Sequence, residues 1–244
     1  MIKHRIILTL AILFIILEEG LSGTGDISWM TEGKYGIFIH YQYRILLNYS
    51  IRTDPIMPSM SQMTAKESNR FVDGFDVKGF ADQIAEAKMG WVLFCIDDHF
   101  FGWQCAPNKT FCEYTGYASG EKCSHRDLIM DVADALKPKN IKFICYFARL
   151  NGNNKESRIS SGLKDSIPRG FYNEETPPSV ESRKRRLAIL REYADRYRDK
   201  IVGRWFYGIR LNTYNGGPDD WRKINSIVHK SQSQSCYCVQ LWQE

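Results

Sequence analysis

The sequence predicts an α/β fold: a parallel sheet wrapped by helices, TIM-barrel-like in the (β/α)8 sense, and incomplete at about five β/α units. Three observations predict it. Short, uniformly apolar runs such as Gly36-Ile37-Phe38-Ile39 and Trp91-Val92-Leu93-Phe94-Cys95-Ile96 recur along the chain, as strands buried in a parallel sheet do. Amphipathic helical stretches separate these runs. Finally, the runs end in polar and aromatic clusters, His40-Tyr41-Gln42-Tyr43 and Asp97-Asp98-His99. The carboxyl ends of buried parallel strands are where barrel enzymes hold their binding groups.

The elements follow in order. Gly36 to Ile39 is the first strand, too uniformly apolar to have a solvent face. Asp76 is placed to cap a helix reaching Lys88, with Phe80, Ile84 and Ala87 inward, and Gly90 stops it. Trp91 to Ile96 is the second strand. A long polar loop with Cys105, Cys112 and Cys123 leads to Ser124, the expected cap of a helix striped by Leu128, Val132 and Leu136. Ile141 to Phe147 is the third strand. A polar, flexible stretch from Asn151 to Pro178 precedes a helix whose apolar face is Val180, Leu187, Leu190, Ala194 and Tyr197. The fourth strand lies within Ile201 to Gly208, a helix runs from about Asp219 to Lys230, and Cys236 to Leu241 is the last strand. Right-handed crossovers leave two closures, an open doubly wound sheet or a barrel. The first strand has no Gly-rich phosphate loop after it, which argues against a nucleotide fold. Histidine and aromatic residues at the strand ends favour the barrel.

Residues 1–22 read as a signal peptide: Lys3, His4 and Arg5, an apolar stretch from Ile6 to Leu17, then small residues at Gly20, Ser22 and Gly23. That apolar stretch is short of the roughly 20 residues a membrane span needs, although a signal anchor is the alternative. The expectation is a chain secreted or otherwise exported (extracellular, periplasmic or lysosomal), with residues 23–244 forming one domain and no membrane span after cleavage. The net charge of +5 does not demand nucleic acid. The densest basic run, Arg183-Lys184-Arg185-Arg186, falls on the wet face of its helix.

Seven cysteines are an odd number for an exported chain. Cys105 and Cys123 bracket the polar loop, so a disulfide between them is expected, with Cys112 the rival partner. Cys95 and Cys145 read as small core residues. No cysteine or histidine spacing suits a metal, and no cofactor is expected. Asn48-Tyr49-Ser50 and Asn108-Lys109-Thr110 are glycosylation sequons.

At this point a family resemblance emerges. Gly36-Ile37-Phe38-Ile39-His40-Tyr41 resembles the first barrel strand of the α-L-fucosidase family of glycoside hydrolases. Asp97-Asp98-His99 with Gly102-Trp103 resembles the end of its second strand, Arg126-Asp127-Leu128 the start of the next helix, and Lys142-Phe143-Ile144-Cys145-Tyr146 its third strand. The loop from Cys105 to Ser124 resembles a subgroup of bacterial fucosidase-like proteins. The resemblance implies a (β/α)8-like barrel, retaining hydrolysis of terminal α-L-fucose, and a fucosylated glycan or glycoconjugate as partner. It implies substrate-binding roles for His40, Asp98, His99, Tyr146 and Trp205.

Two departures accompany it. Asp98 stands where the family has the first of two histidines, and Tyr207 stands where it has the nucleophilic Asp, in Trp205-Phe206-Tyr207-Gly208. A retaining glycosidase needs one carboxylate to attack the anomeric carbon and a second carboxyl to protonate the leaving oxygen. A phenol with pKa about 10 is a poor nucleophile unless a neighbouring base removes its proton. The expectation is therefore a fucosidase-like domain that acts on or binds terminal fucose, with its acid/base unassigned. The alternatives are a non-catalytic glycan-binding relative and an inactive fragment. A chain ending after about five units would have its barrel completed by an oligomeric partner, would adopt a smaller fold, or would be a truncated product.

Overall fold

The computed structural model describes residues 26–41, 65–98, 103–147, 180–209, 218–231 and 236–241. The leader-like segment, the 151–178 stretch, His99 and Asn48 lie outside them. In chain order the elements are α1 (Ser28–Glu32), β1 (Gly36–Ile39), α2 (Ala65–Asp73), α3 (Val77–Glu86), β2 (Trp91–Cys95), β3 (Asp97–Asp98) and β4 (Trp103–Gln104). There follow α4 (Lys109–Thr115), α5 (Leu128–Leu136), β5 (Lys142–Phe147), α6 (Val180–Tyr197), β6 (Gly203–Ile209), α7 (Pro218–Ser231) and β7 (Cys236–Leu241).

Five strands form one sheet in the order β1-β2-β5-β6-β7, every pair parallel. Strands β3 and β4 form a separate antiparallel hairpin. The order within the large sheet never reverses. A doubly wound sheet reverses and so acquires helices on both faces. Right-handed crossovers in one direction put every helix on one face. The architecture is the α/β arrangement of an incomplete barrel.

Side-chain alternation along each strand separates two cores. On the outer, helix-covered face, Val92, Phe94, Phe143, Cys145 and Phe147 pack with Ile84 of α3, Leu128, Val132 and Leu136 of α5, Tyr193 and Tyr197 of α6, and Ile227 of α7. On the inner face, Leu93, Cys95, Ile144 and Tyr146 form a smaller cluster with Trp29, flanked by Trp91, Val202 and Trp205. Helix α1 closes the amino end of this face. Its last turn lies so close to the start of β2 that a Cβ on Gly90 would sit 2.3 Å from Gly33 Cα. Only glycine fits at that crossing.

Two expectations are corrected. Among the described strands β1 lies at the edge of the sheet and is not fully buried, and Phe38 is 39 % exposed. Helix α5 is capped by Asp127, whose Oδ1 accepts from the Met130 N–H at 3.0 Å. Ser124 instead donates to the Arg126 carbonyl oxygen at 2.7 Å. The carboxylate sits directly before the first helical residue, where the unpaired N–H groups and the positive end of the helix dipole converge.

Candidate functional site

The parallel register lines up one row of residues across the carboxyl ends of the strands. Cys95 is opposite Tyr146, Tyr146 is opposite Trp205, and Trp205 is opposite Cys238. On the other side Ile39 pairs with Phe94, so His40 follows on toward Cys95. Four of the sequence-predicted positions are thereby placed. His40, Tyr146 and Trp205 share the inner face, whereas Tyr207 comes later on β6.

Aromatic rings fill the corner of this face. The Phe38 centroid is 4.0 Å from that of His40 and 4.6 Å from that of Tyr146, and His40 meets Tyr146 edge-on at 5.9 Å. Tyr146 is buried and His40 exposed, so the imidazole stands over a wall of aromatic surface. Trp205 adds an indole Nε1–H that is buried with no acceptor among the described residues. The exposed Phe38 and His40 offer aromatic surface and a hydrogen-bonding imidazole, which is what a sugar ring requires of its site.

Tyr41 does not join the cluster. Alternation turns it to the outer face, where its ring packs against Phe75, Phe94 and Trp103 and its hydroxyl donates to the Phe71 carbonyl oxygen at 2.7 Å. Burial pushes its phenol above the usual range. It is a core residue.

The carboxylates after β2 divide. Asp97 is 2 % exposed, and its charge raises the thiol pKa values of Cys105 and Cys145 after burial has done so first. Asp97 follows the inner-face Cys95 by two residues. The Asp98 backbone pairs with Trp103 in the hairpin; its side chain, like that of Tyr207, lies outside the described residues. Within the packed cluster of Phe38, His40, Leu93, Cys95, Ile144, Tyr146 and Trp205 no side chain carries a carboxyl group. At Tyr207 the strand is irregular as well. Phe206 pairs with Val239 and Ile209 with Leu241, so β6 holds one more residue than β7 over this interval. Such a bulge re-aims side chains at a strand end.

Sequence reasoning passed over Arg204. It is 1 % exposed and stands opposite Cys145 on the outer face, where its charge opposes the burial-driven rise of that thiol's pKa. An arginine inside an otherwise apolar strand was the available signal. The Arg-Asp-Leu stretch proves to be a clamp. Arg126 Nη1 donates to the Val72 carbonyl oxygen at 2.7 Å, past the end of which α2 stops, and Nε donates to Asp131 at 2.6 Å.

Two modification expectations differ from the structure. Cys105 and Cys123 are both free thiols. Cys105 Sγ donates to the Cys95 carbonyl oxygen at 3.6 Å, and Cys123 is buried, bridged to Gln104 of β4. Asn108 is 1 % exposed. Its Oδ1 caps α4 by accepting from Phe111 N–H at 2.8 Å, and its Nδ2 donates to the Ile189 carbonyl oxygen at 3.2 Å. A glycan on that nitrogen is incompatible with this packing.

No protein-family model matches the sequence, and no curated protein matches it. Solved structures do match its fold. The α-L-fucosidase AlfC from Lactobacillus casei, in complex with α-L-fucose product, is similar with a TM-score of 0.56 and 18 % identity, over 86 % of this chain and 69 % of that one. A variant of AlfC in complex with Fuca(1,6)GlcNAc is similar with a TM-score of 0.57 and 18 % identity, over 86 % of this chain and 68 % of that one. A GH29 α-L-fucosidase from Bacteroides thetaiotaomicron gives a TM-score of 0.56 and 16 % identity, over 88 % of this chain and 48 % of that enzyme. The parallel, unreversed sheet, with aromatic residues on its inner face, is thus an α-L-fucosidase-like fold.

Proposed function

We propose that this chain is a secreted, α-L-fucosidase-like domain that recognises the terminal fucose of glycans and turns it over poorly. The observation that supports it most directly is the His40–Phe38–Tyr146 cluster at the carboxyl end of the inner face, in register with Trp205. A deoxy sugar presents a methyl group and an apolar ring face to aromatic side chains, and hydroxyls to the imidazole and the indole N–H. The solved enzymes of like fold are fucosidases, one with fucose bound. Poor turnover is argued from Tyr207 at the nucleophile position. Export is argued from the leader-like residues 1–22; among the described residues no helix is long and apolar enough to cross a membrane.

The test is calorimetric titration of the purified chain with L-fucose and, in parallel, with L-rhamnose or D-glucose. Saturable binding of fucose that weakens on His40→Ala supports the reading. Equal response to all three sugars, or none to fucose, ends it.

A further inference from the structure

Helices α6 and α7 lie side by side on the outer face, and an open groove of about 410 Å³ runs between them. Its size falls within the roughly 300–1,000 Å³ of ligand sites. Leu187 and Arg191 of α6 form one wall, and Arg222, Lys223, Ser226 and Ile227 of α7 form the other. Leu187 and the buried Ile227 pack on the helix-side core and make an aliphatic floor. Arg191, Arg222, Lys223 and Ser226 stand exposed above it. We propose that this groove binds a sulfated glycan chain, on the opposite face of the sheet from the candidate fucose site.

Helical spacing puts the cations in line. Leu187 and Arg191 share one stripe of α6, and Lys223, Ser226 and Ile227 share one stripe of α7. The exposed Lys184 stands two turns before Arg191, and the exposed Lys230 two turns after Lys223, about 10.5 Å along each axis. Both stripes therefore carry positive charge along a track rather than at one point.

The side chains match the chemistry of a sulfate ester, an anion with several terminal oxygens. Arginine donates to two oxygens at once through its planar fork, lysine adds a point charge, and the Ser226 hydroxyl is a further donor. Cations on both walls suit a linear polyanion lying along the groove, and the aliphatic floor takes the C–H edges of sugar rings between sulfates. Nucleic acid fits less well, because its bases stack on aromatic rings and this floor is Leu187 and Ile227. A membrane surface binds through apolar side chains that insert into it, whereas Ile227 lies at the bottom of the groove, 6 % exposed. Export, proposed above, sets the chain among extracellular polysaccharides, and sulfate rather than phosphate follows from that reading.

The experiment is calorimetric titration of the full chain with a heparin oligosaccharide, the same oligosaccharide after chemical desulfation, and an oligothymidylate of equal charge. Saturable binding of the sulfated sugar alone, weakened by added salt, is the expected result. No binding of it, or equally tight binding of either comparison ligand, overturns the proposal. Arg191→Glu with Lys223→Glu is expected to lower affinity for the sulfated sugar by about tenfold or more. Lys66→Glu with Arg70→Glu makes the same charge change at exposed positions of α2 and should leave affinity within about twofold. Equal losses in the two variants overturn the site, leaving net charge as the cause. Ser226→Asp, exposed within the groove, is expected to act in the same direction as the first variant; no effect from either overturns the site. Fucose titration of the Arg191→Glu, Lys223→Glu protein should match the unmodified chain, so failure of the fucose reading is seen separately from failure of this one.

Discussion

The rings of His40 and Tyr146 meet edge-on, 5.9 Å between centroids, although a whole strand separates β1 from β5. The register explains how. The residue between them in the row is Cys95, opposite Tyr146, and its small, fully buried side chain lets the two rings meet over β2. A bulkier side chain there would hold the two rings apart.

Cys95→Leu should therefore damage the site from below. The side chain is fully buried, so overpacking should cost about 1–3 kcal/mol of stability. Fucose affinity should fall more than it does for a substitution of equal thermodynamic cost in the helix-side core, such as Val132→Ala. Chemical denaturation paired with fucose titration checks this; an unchanged affinity would mean the ring contact is incidental to binding.

Trp205→Phe keeps the aromatic surface and removes the buried Nε1–H that lacks an acceptor among the described residues. If a fucose hydroxyl accepts from it, affinity should drop by about tenfold, the worth of one hydrogen bond, with stability unchanged or raised. A stable variant with full affinity would place the sugar elsewhere.

Arg126→Ala should unfold the chain more readily without touching the sugar site. It removes the bond to the Val72 carbonyl oxygen and the pair with Asp131, a loss on the order of 2 kcal/mol. Urea unfolding measures it. Intact fucose binding at low temperature would confirm that the clamp is architectural.

Hydrolysis of an aryl α-L-fucoside should be negligible for the unmodified chain. Restoring a carboxylate by Tyr207→Asp and recovering turnover would establish that position 207 faces the anomeric carbon. Robust turnover that survives Tyr207→Phe would show another residue to be the nucleophile.

Acid should weaken α4 through Glu192. Burial disfavours its charge, but the N–H groups of Thr110 and Lys109 donate to its two oxygens at 2.7 and 2.8 Å, with Arg196 beside it, and hold its pKa below the ordinary value. A carboxylate with a depressed folded pKa contributes stability above its unfolded pKa and loses it as pH falls through the folded value. Glu192→Gln should lower the melting temperature at pH 7, and the gap to wild type should close below about pH 4. A gap independent of pH would show that Glu192 acts by packing alone.

How far the sequence reveals this molecule depends on where the determining contact lies. β2 and β5 were legible because burial on a parallel sheet leaves a local apolar signature, and Asp76 was legible as a cap because its partner, the Gly79 N–H, is three residues away. Helix α2 was not. Its sequence is largely polar, and it ends against Arg126, more than fifty residues on. Ser124 and Asp127 are both sound caps by composition, and only the turn between them decides. The cysteine loop offered Cys105 or Cys112 as partner for Cys123, and spacing alone could not reveal that Cys105 is turned to the Cys95 carbonyl. At the site, His40, Tyr146 and Trp205 fell on strand ends that the pattern identified. Tyr41, next in the same cluster, belongs to the other core because the pleat sends neighbours to opposite faces.

The crossing of Gly33 and Gly90 has a consequence for water. A Cβ at Gly33 would meet Trp29 O at 2.9 Å and Gly90 Cα at 3.0 Å, so neither position can grow without levering α1 outward. Trp29 is the plug of that end, packed on Leu93 and Ile144. Alanine at either glycine would lift the plug and let solvent seep in from the amino end, hydrating the inner face from behind. The dryness of a sugar site at one end of the strands is in this way set by two hydrogen atoms at the other.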